Sequence, residues 1–127
     1  MKNLLEKSKH NSETANFAEG KEFYDVAVSR YYYSLFEKII YISKKEGFYQ
    51  EPTTGQDSHN VTIQSFTQNM MNSLEPEDIS KCAIMRRLKK MRVDADYKEQ
   101  RISDKNTFNL SFKCLYNQLD EVLNKFI

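Results

Sequence analysis

The chain has 127 residues, with 19 Lys and Arg against 18 Asp and Glu, so its formal net charge at pH 7 is +1. This balance lacks the strongly basic character of many nucleic-acid-binding domains, so any attraction for an anion has to come from a local patch. Three Gly and two Pro leave little turn material for an all-β fold, while eight Phe and eight Tyr help to supply one core. We therefore expect a single helical domain over residues 1–127.

Amphipathic patterns in the first half predict two helices. The segment 2–19 is weakly amphipathic and ends at Gly20. The strongest helical pattern starts at about residue 22 and stops at Gly47, after a lysine-rich last turn. A polar loop that carries Pro52 follows. The apolar positions predicted to face inward from the second helix are Phe23, Val26, Ala27, Tyr33, Ser34 and Ile40.

The second half predicts three more helices. A third helix should cover about 59–73, and a fourth should start at "LEPED", because Pro and acids suit a first turn. The last helix, about 104–126, has apolar residues alternating by four and three. The inward stripe of the fourth helix is Ile84, Leu88, Met91 and Ala95, and that of the last is Phe108, Phe112, Leu115, Leu119, Val122 and Phe126. Together these helices predict an antiparallel four- to five-helix bundle.

The second helix is apolar on more than one side. Such a surplus of aromatic and aliphatic side chains is typical of an interface between copies, so we expect a homodimer. The residues off the main stripe are Tyr31, Leu35, Ile39 and Ile42.

Cys82 and Cys114 each lie in an apolar helical pattern, which favours two reduced, buried thiols. Neither has a second Cys or His at ligand spacing, so we expect no metal site, and no cofactor motif occurs. The chain carries neither a signal-peptide pattern nor an apolar run that could span a bilayer. We expect a cytoplasmic protein without a membrane partner.

Arg30 interrupts the apolar stripe of the second helix, three residues after Ala27 and three before Tyr33. One interpretation is an arginine whose stem packs while its guanidinium reaches water. The other is a carboxylate partner, Asp94 or Asp96, from the end of the fourth helix, since a buried guanidinium without a partner is costly. This second interpretation predicts a polar cluster of Arg30, Tyr32, Tyr33 and Asp96, with Asp94 beside it.

A basic run precedes those two aspartates. It places five cations in seven residues: Arg86, Arg87, Lys89, Lys90 and Arg92. The run is either a solvated helix face or, in a dimer whose fourth helices share one cleft, a site for RNA or a nucleotide phosphate.

Two separated motifs resemble the HEPN superfamily (higher eukaryotes and prokaryotes nucleotide-binding domain), closest to its small stand-alone bacterial and archaeal branch. The first motif is "AVSRYYYSLF", with Arg30 and Tyr32, and the second is "RVDADY", from Arg92 to Tyr97. His59 in "DSHN" matches a histidine common in that branch. The resemblance covers about residues 18–126.

The resemblance implies a helical bundle, usually dimeric, often encoded beside a nucleotidyltransferase in toxin–antitoxin or phage-defence pairs. Ribonuclease members carry Arg followed after four to six residues by His, whereas here Tyr97 stands five residues after Arg92 and no His follows. Whether the chain is an enzyme is therefore open.

Metal-independent RNA cleavage needs a base, a proton donor and cations on the phosphate. The candidate catalytic residues are Arg92, Asp96, Tyr97 and His59. Arg92 suits the phosphate, Asp96 suits a base only if burial raises its pKa, and His59 titrates in the right range. The alternative function is a non-catalytic helical module that dimerises and binds a protein partner.

Overall fold

Helices account for the regular structure of the chain, as the apolar spacing predicts. The computed structural model describes residues 2–99 and 102–127, and within them no strand occurs. The α-helices are α1 (Lys2–Gly20), α2 (Tyr24–Lys45), α3 (Ser58–Met70), α4 (Pro76–Cys82), α5 (Ile84–Tyr97), α6 (Lys105–Phe108) and α7 (Cys114–Asn124). A π-helical segment, Asn109–Lys113, joins α6 to α7 in one continuous helical stretch. The prediction of an all-α helical bundle is confirmed.

Helix α2 lies at the centre of the bundle, with α1, α3, α5 and α7 packed around it. This position explains why α2 is apolar on more than one side. The residues taken to mark an interface are instead buried in the core of the single chain: Tyr31, Leu35, Ile39 and Ile42. That basis for a homodimer was therefore wrong. Conversely, Phe23 and Val26, predicted to face inward, are 58% and 50% exposed, because they lie at the start of α2 and face away from its neighbours.

The direction of each helix follows from its contacts with α2. Because a three-residue turn joins α1 to α2, these two helices run antiparallel, and Ser8 Oγ donates to the carbonyl of Ser34. Helix α7 and the π-helical segment run parallel to α2, since successive residues of α2 contact successive residues of that stretch. The pairs are Tyr31 with Lys113, Ser34 with Tyr116, and Lys38 with Asp120.

The predicted fourth helix is divided at Ala83 into α4 and α5. Cys82 and Ile84 are both buried, although an unbroken α-helix would place residues two apart about 200° from each other. The turn at Ala83 allows both side chains to reach the core.

The last helix widens into its π-helical segment between Phe108 and Cys114. Phe108, Phe112 and Tyr116 follow at spacings of four, and all three are buried. In a regular α-helix, residues four apart are rotated by about 40° around the helix axis, so the rings would drift off one face. The wider turn of the π-helical segment reduces this rotation and keeps the rings on one face.

The two cysteines differ in exposure. Cys82 is buried, as predicted, and burial raises the pKa of its thiol to about 11. Cys114 is exposed, so the prediction of a second buried thiol was wrong. Cys114 lies two residues before the buried Tyr116 and therefore on the opposite face of α7. Nowhere in residues 2–99 or 102–127 is a helix both long enough and apolar enough to cross a membrane.

Candidate functional site

Arg92 is the charged residue on the buried face of α5. It follows Ile84, Met85 and Leu88 on that face and is only 8% exposed. Its guanidinium carbon lies 5.3 Å from the ring centre of Tyr32 and 5.4 Å from that of Tyr33. Contact between a cation and an aromatic ring is favourable, and more so when water is excluded. Two adjacent tyrosines of α2 therefore hold this arginine inside the bundle.

Asp96 is the ion-pair partner of Arg92. Arg92 Nη1 donates to Asp96 Oδ2 at 3.4 Å, and the Asp96 side chain is 30% exposed. This pair joins residues four apart on one helix, which are neighbours on any helix surface. The Arg92 Nε nitrogen is buried and has no hydrogen-bond partner in the described part of the chain. The acceptors around this guanidinium are thus fewer than its donors.

Arg30 does not pair with Asp96, so the predicted ion pair between them was wrong. The Arg30 guanidinium donates to Asn11 Oδ1 and to Ser29 Oγ, both at 3.2 Å, and the Asn11 amide in turn donates to Glu37. Across residues 2–99 and 102–127, no carboxylate lies within 4.0 Å of Arg30. Asp96 is taken by the arginine of its own helix, and α1 supplies a neutral partner for Arg30.

Arg30 nevertheless joins Arg92 at the ring of Tyr33. The Arg30 guanidinium carbon lies 4.9 Å from the Tyr33 ring centre, so two guanidinium groups contact one half-buried ring. Beside it a surface cleft of about 310 Å³ runs between α2 and α5. Its lining residues are Asp25, Val26, Ser29, Arg30, Ala95 and Asp96.

His59 completes the cluster from the first turn of α3. Its Nδ1 lies 2.8 Å from Tyr32 Oη, and its ring stacks on that of Phe36 with centres 4.2 Å apart and planes 4° apart. Phe36 lies one turn after Tyr32 on α2, so the two side chains reach the same imidazole. We call Arg30, Tyr32, Tyr33, His59 and Arg92 the Arg92 cluster.

The start of α3 fixes the position of His59. Asp57 caps this helix and accepts hydrogen bonds from the backbone N–H groups of His59 and Asn60, both at 3.1 Å. Lys89 of α5 donates to Asp57 Oδ2 at 2.7 Å and to Asn60 Oδ1 at 3.0 Å. The Lys89 hydrogen bond lowers the pKa of Asp57 below its usual value. Lys89 thus connects α5 to the turn that carries His59.

Charges and burial set the protonation of the cluster. Burial lowers the pKa of His59, and the cations Arg92 and Lys89 lower it further, while Asp57 opposes them. Burial also raises the pKa of Tyr32 far above its usual value, although Arg92 opposes that shift. At neutral pH the imidazole is therefore uncharged and the phenol keeps its proton.

The structure does not bring Tyr97 or Asp94 into the cluster. Tyr97 lies five residues after Arg92, which turns it about 140° away around the helix, and it is 79% exposed. Asp94 lies near two lysines on another side of α5, at 3.2 Å from Lys98 Nζ and 4.0 Å from Lys90 Nζ.

The basic run does not form one continuous surface. Arg86, Arg87 and Lys90 are exposed, whereas Lys89 is bound to Asp57. Arg87, Lys90 and Leu110 line a cleft beside the π-helical segment. Arg86, Arg87 and Lys90 thus share one exposed arc of α5, whereas Arg92 lies in the cluster and Lys89 contacts the turn that precedes His59.

Sequence reasoning missed three contributors to the site. The Phe36 ring stacks on the imidazole, Asn11 accepts a hydrogen bond from Arg30, and Asp57 caps the helix turn that holds His59. Two of them had a signal: Phe36 follows Tyr32 by four residues, and "DSHN" has the aspartate expected just before a helix. Asn11 had none, because its contact depends on how α1 packs.

Within the described residues, no group of three or more His, Cys, Asp or Glu side chains is arranged to hold a metal ion. No family model, curated protein or solved structure matches the chain. What the fold and the site define is an all-α bundle with a cationic, tyrosine-rich cluster between α2, α3 and α5.

Proposed function

We propose that the chain is a small HEPN-like protein that binds RNA at the Arg92 cluster. The observation that carries this proposal is the pair of guanidinium groups on the Tyr33 ring, of which only Arg92 has a carboxylate partner among residues 2–99 and 102–127. Guanidinium groups suit phosphate oxygens because they donate several hydrogen bonds in a fixed geometry. Arg30 is half-buried at an open cleft, so it is the arginine of the cluster best placed to meet a phosphate.

Binding fits the residues better than cleavage does. Strand scission at neutral pH needs a base and an acid with suitable pKa values beside the phosphate. His59 is the titratable group of the cluster nearest to that range, and its Nδ1 already bonds Tyr32. Tyr97, which stands where ribonuclease members of the superfamily have a histidine, faces away from Arg92. We therefore propose recognition of RNA without its cleavage.

The test is binding of single-stranded RNA and of tRNA, followed by fluorescence anisotropy at low and moderate salt. Arg30→Met should weaken binding about tenfold or more, the effect of one lost charge-assisted hydrogen bond, and should lower the salt dependence by about one phosphate contact. Lys44→Met is the matched control. It removes the same charge from a lysine that also lies over a tyrosine ring, at 5.1 Å, about 21 Å further along α2.

Equal losses in Arg30→Met and Lys44→Met would contradict a specific site, and wild-type protein that does not bind RNA would refute the proposal. The same RNAs should stay intact after long incubation. Products formed by the wild type but not by Arg92→Met would establish the ribonuclease interpretation instead.

The biological setting we propose is a cytoplasmic toxin–antitoxin or phage-defence system with a nucleotidyltransferase or another defence protein as partner. It rests on the resemblance of the two motifs around Arg30 and Arg92 to the HEPN superfamily. The neighbouring genes test it: a nucleotidyltransferase beside this gene supports the pairing, and housekeeping neighbours count against it.

A second candidate function, a homodimeric or protein-binding module, is favoured by exposed apolar side chains at one side of the bundle. Phe23, Val26 and Leu110 are 58%, 50% and 81% exposed. One surface cleft is lined by Phe23 and Val26, and another by Leu110. A further cleft lies between them, because it shares Asp25 with the first and Met91 with the second. Apolar side chains along connected clefts are typical of an interface.

Light scattering tests this candidate. A homodimer should have twice the mass of the 15.1 kDa chain, and Leu110→Glu should shift it to the monomer. Met71→Glu, at a residue that is 49% exposed but outside these clefts, should leave the mass unchanged. A wild-type monomer at micromolar concentration would refute the homodimer.

A further inference from the structure

The hydroxyl of Tyr32 meets a single possible acceptor in the described chain. Tyr32 is 0% exposed, and its Oη lies 2.8 Å from His59 Nδ1. Because the buried phenol keeps its proton at neutral pH, that proton needs an acceptor. An arginine only donates, so Arg92, whose guanidinium lies over the Tyr32 ring, does not meet this need. The remaining acceptor is His59 Nδ1.

This restriction selects one form of the imidazole. If Nδ1 carried a proton, as it does in one neutral tautomer and in the imidazolium ion, the Tyr32 hydroxyl would face a donor and lose its bond. A buried hydroxyl without an acceptor is unfavourable. The form that satisfies both groups is the neutral tautomer with its proton on Nε2.

The surroundings of His59 favour the same form. From α5, Arg92 and Lys89 oppose a positive charge on the ring, whereas Asp57, at the start of α3, favours one. From α2, Phe36 stacks on the imidazole and Tyr33 meets it edge to face with centres 5.9 Å apart. These contacts hold the plane of the ring and so the direction of its Nε2–H bond.

Within the described residues, the Nε2 atom of the half-buried His59 meets no acceptor and is not itself fully buried. It has no hydrogen-bond partner in residues 2–99 and 102–127, and the buried side-chain nitrogens and oxygens without a partner there are Asp78 Oδ1 and Arg92 Nε. An oriented N–H group thus extends from the cluster that also holds Arg30 and Arg92.

We propose that Tyr32 is a positioning residue that holds His59 as the neutral Nε2–H tautomer, and that this N–H group donates to a phosphate oxygen of RNA. The choice of ligand rests on the proposed function, whereas the tautomer does not. A neutral imidazole whose Nδ1 is occupied and whose Nε2 carries a proton has no free lone pair to act as a base. The geometry therefore makes His59 a binding residue.

The tautomer is tested by long-range ¹H–¹⁵N NMR of the histidine side chains above pH 7. His59 should give the pattern of an unprotonated Nδ1 and a protonated Nε2, while the exposed His10 serves as an internal reference. Tyr32→Phe should produce a mixture of tautomers and raise the pKa of His59 towards its usual value. Tyr116→Phe, which removes another buried phenol, should leave the His59 spectrum unchanged.

A protonated Nδ1 in the wild type would overturn the inference, and so would a Tyr32→Phe spectrum identical to that of the wild type. If Tyr32→Phe does not fold, the wild-type spectrum alone decides.

The role in RNA binding is tested by His59→Gln and His59→Leu in the anisotropy assay. The Gln amide nitrogen can replace Nε2–H, so His59→Gln should bind within a few-fold of the wild type, whereas His59→Leu should bind about tenfold more weakly. Equal affinities for the two variants would overturn the donor role. Wild-type protein that binds no RNA would refute both the donor role and the proposed function, while the NMR result would still decide the tautomer.

Discussion

A double-mutant cycle on Arg92 and Asp96 should give a coupling free energy of about 1–2 kcal/mol, whereas the same cycle on Arg30 and Asp96 should give less than about 0.5 kcal/mol. The variants are Arg92→Met, Arg30→Met, Asp96→Asn and the two double mutants. Both arginines contact the ring of Tyr33, so the two cycles remove similar side chains from one cluster and differ in the ion pair.

The magnitude follows from the geometry of the pair. At the 3.4 Å that separates Arg92 Nη1 from Asp96 Oδ2, an effective dielectric constant of about 20 gives a gross attraction of about 5 kcal/mol. The Asp96 side chain is 30% exposed and regains water when the partner is removed, which offsets most of that attraction. The Arg92 side chain is only 10% exposed, so the remainder should exceed the 0.2–1 kcal/mol typical of surface pairs.

The assay is urea denaturation followed by circular dichroism, with all six proteins compared at one pH and one ionic strength. A larger coupling for Arg30 with Asp96 than for Arg92 with Asp96 would refute the assignment of partners. Additive losses in both cycles would show that the Arg92–Asp96 contact contributes nothing measurable.

Three further predictions concern protonation, thiol exposure and a buried carboxylate. The pKa of His59 is lower in the folded chain than its usual value of about 6.5, so its contribution to stability is complete above pH 6.5 and is lost as the pH falls through the folded pKa. Between about pH 7.5 and pH 5 the urea midpoint of the wild type should therefore fall relative to that of His59→Gln, and parallel curves would contradict this. Cys114 should react with a thiol reagent in the native protein and Cys82 only after denaturation, so equal reactivity would contradict the assigned exposures. Lys125→Met should lower the urea midpoint, because Lys125 Nζ lies 2.7 Å from the 2% exposed carboxylate of Asp78; an unchanged midpoint would show that Asp78 is satisfied without it.

Most of the fold could be predicted from sequence because the apolar spacing sets each helix locally. The ends of α1 at Gly20 and of α2 just before Gly47 followed from their residues, and Gly47 has the positive φ of 83° that such an end favours. The break at Ala83 could not be predicted in this way. It depends on two neighbours, Cys82 and Ile84, both finding space in the core, which only the packed bundle decides.

The burial of α2 likewise depends on packing that its own sequence does not determine. A helix that is apolar all round is either central in its own chain or shared with a second one, and its sequence does not distinguish these cases. The prediction chose an interface for Tyr31, Leu35 and Ile39, whereas α1, α3, α5 and α7 cover that helix within one chain. The apolar residues that remain exposed, Phe23 and Val26 among them, had been assigned to the core.

For the candidate site, the sequence identified the unusual residues better than their partners. Arg30, Tyr32, His59 and Arg92 were all selected, and the structure brings them together. Asp96 was assigned to Arg30, because an arginine in an apolar stripe needs a counter-charge and Asp96 follows the inward-facing Ala95 at the end of the predicted fourth helix. The packing of α1 supplied Asn11 instead, which no local pattern indicates.

The balance of donors and acceptors in the cluster bears on what the site does. Asp96 gives Arg92 one carboxylate oxygen at 3.4 Å, Arg30 has an amide and a hydroxyl, and the Arg92 Nε proton has no acceptor in the described chain. Each guanidinium has five N–H donors, and leaving buried ones unpaired is unfavourable. The bundle alone would be more stable with an apolar side chain at position 92, or with a second carboxylate beside Arg92. Arg30 lines the open cleft between α2 and α5, so under the proposed function a phosphate, which has the charge and oxygens to match a guanidinium, binds there.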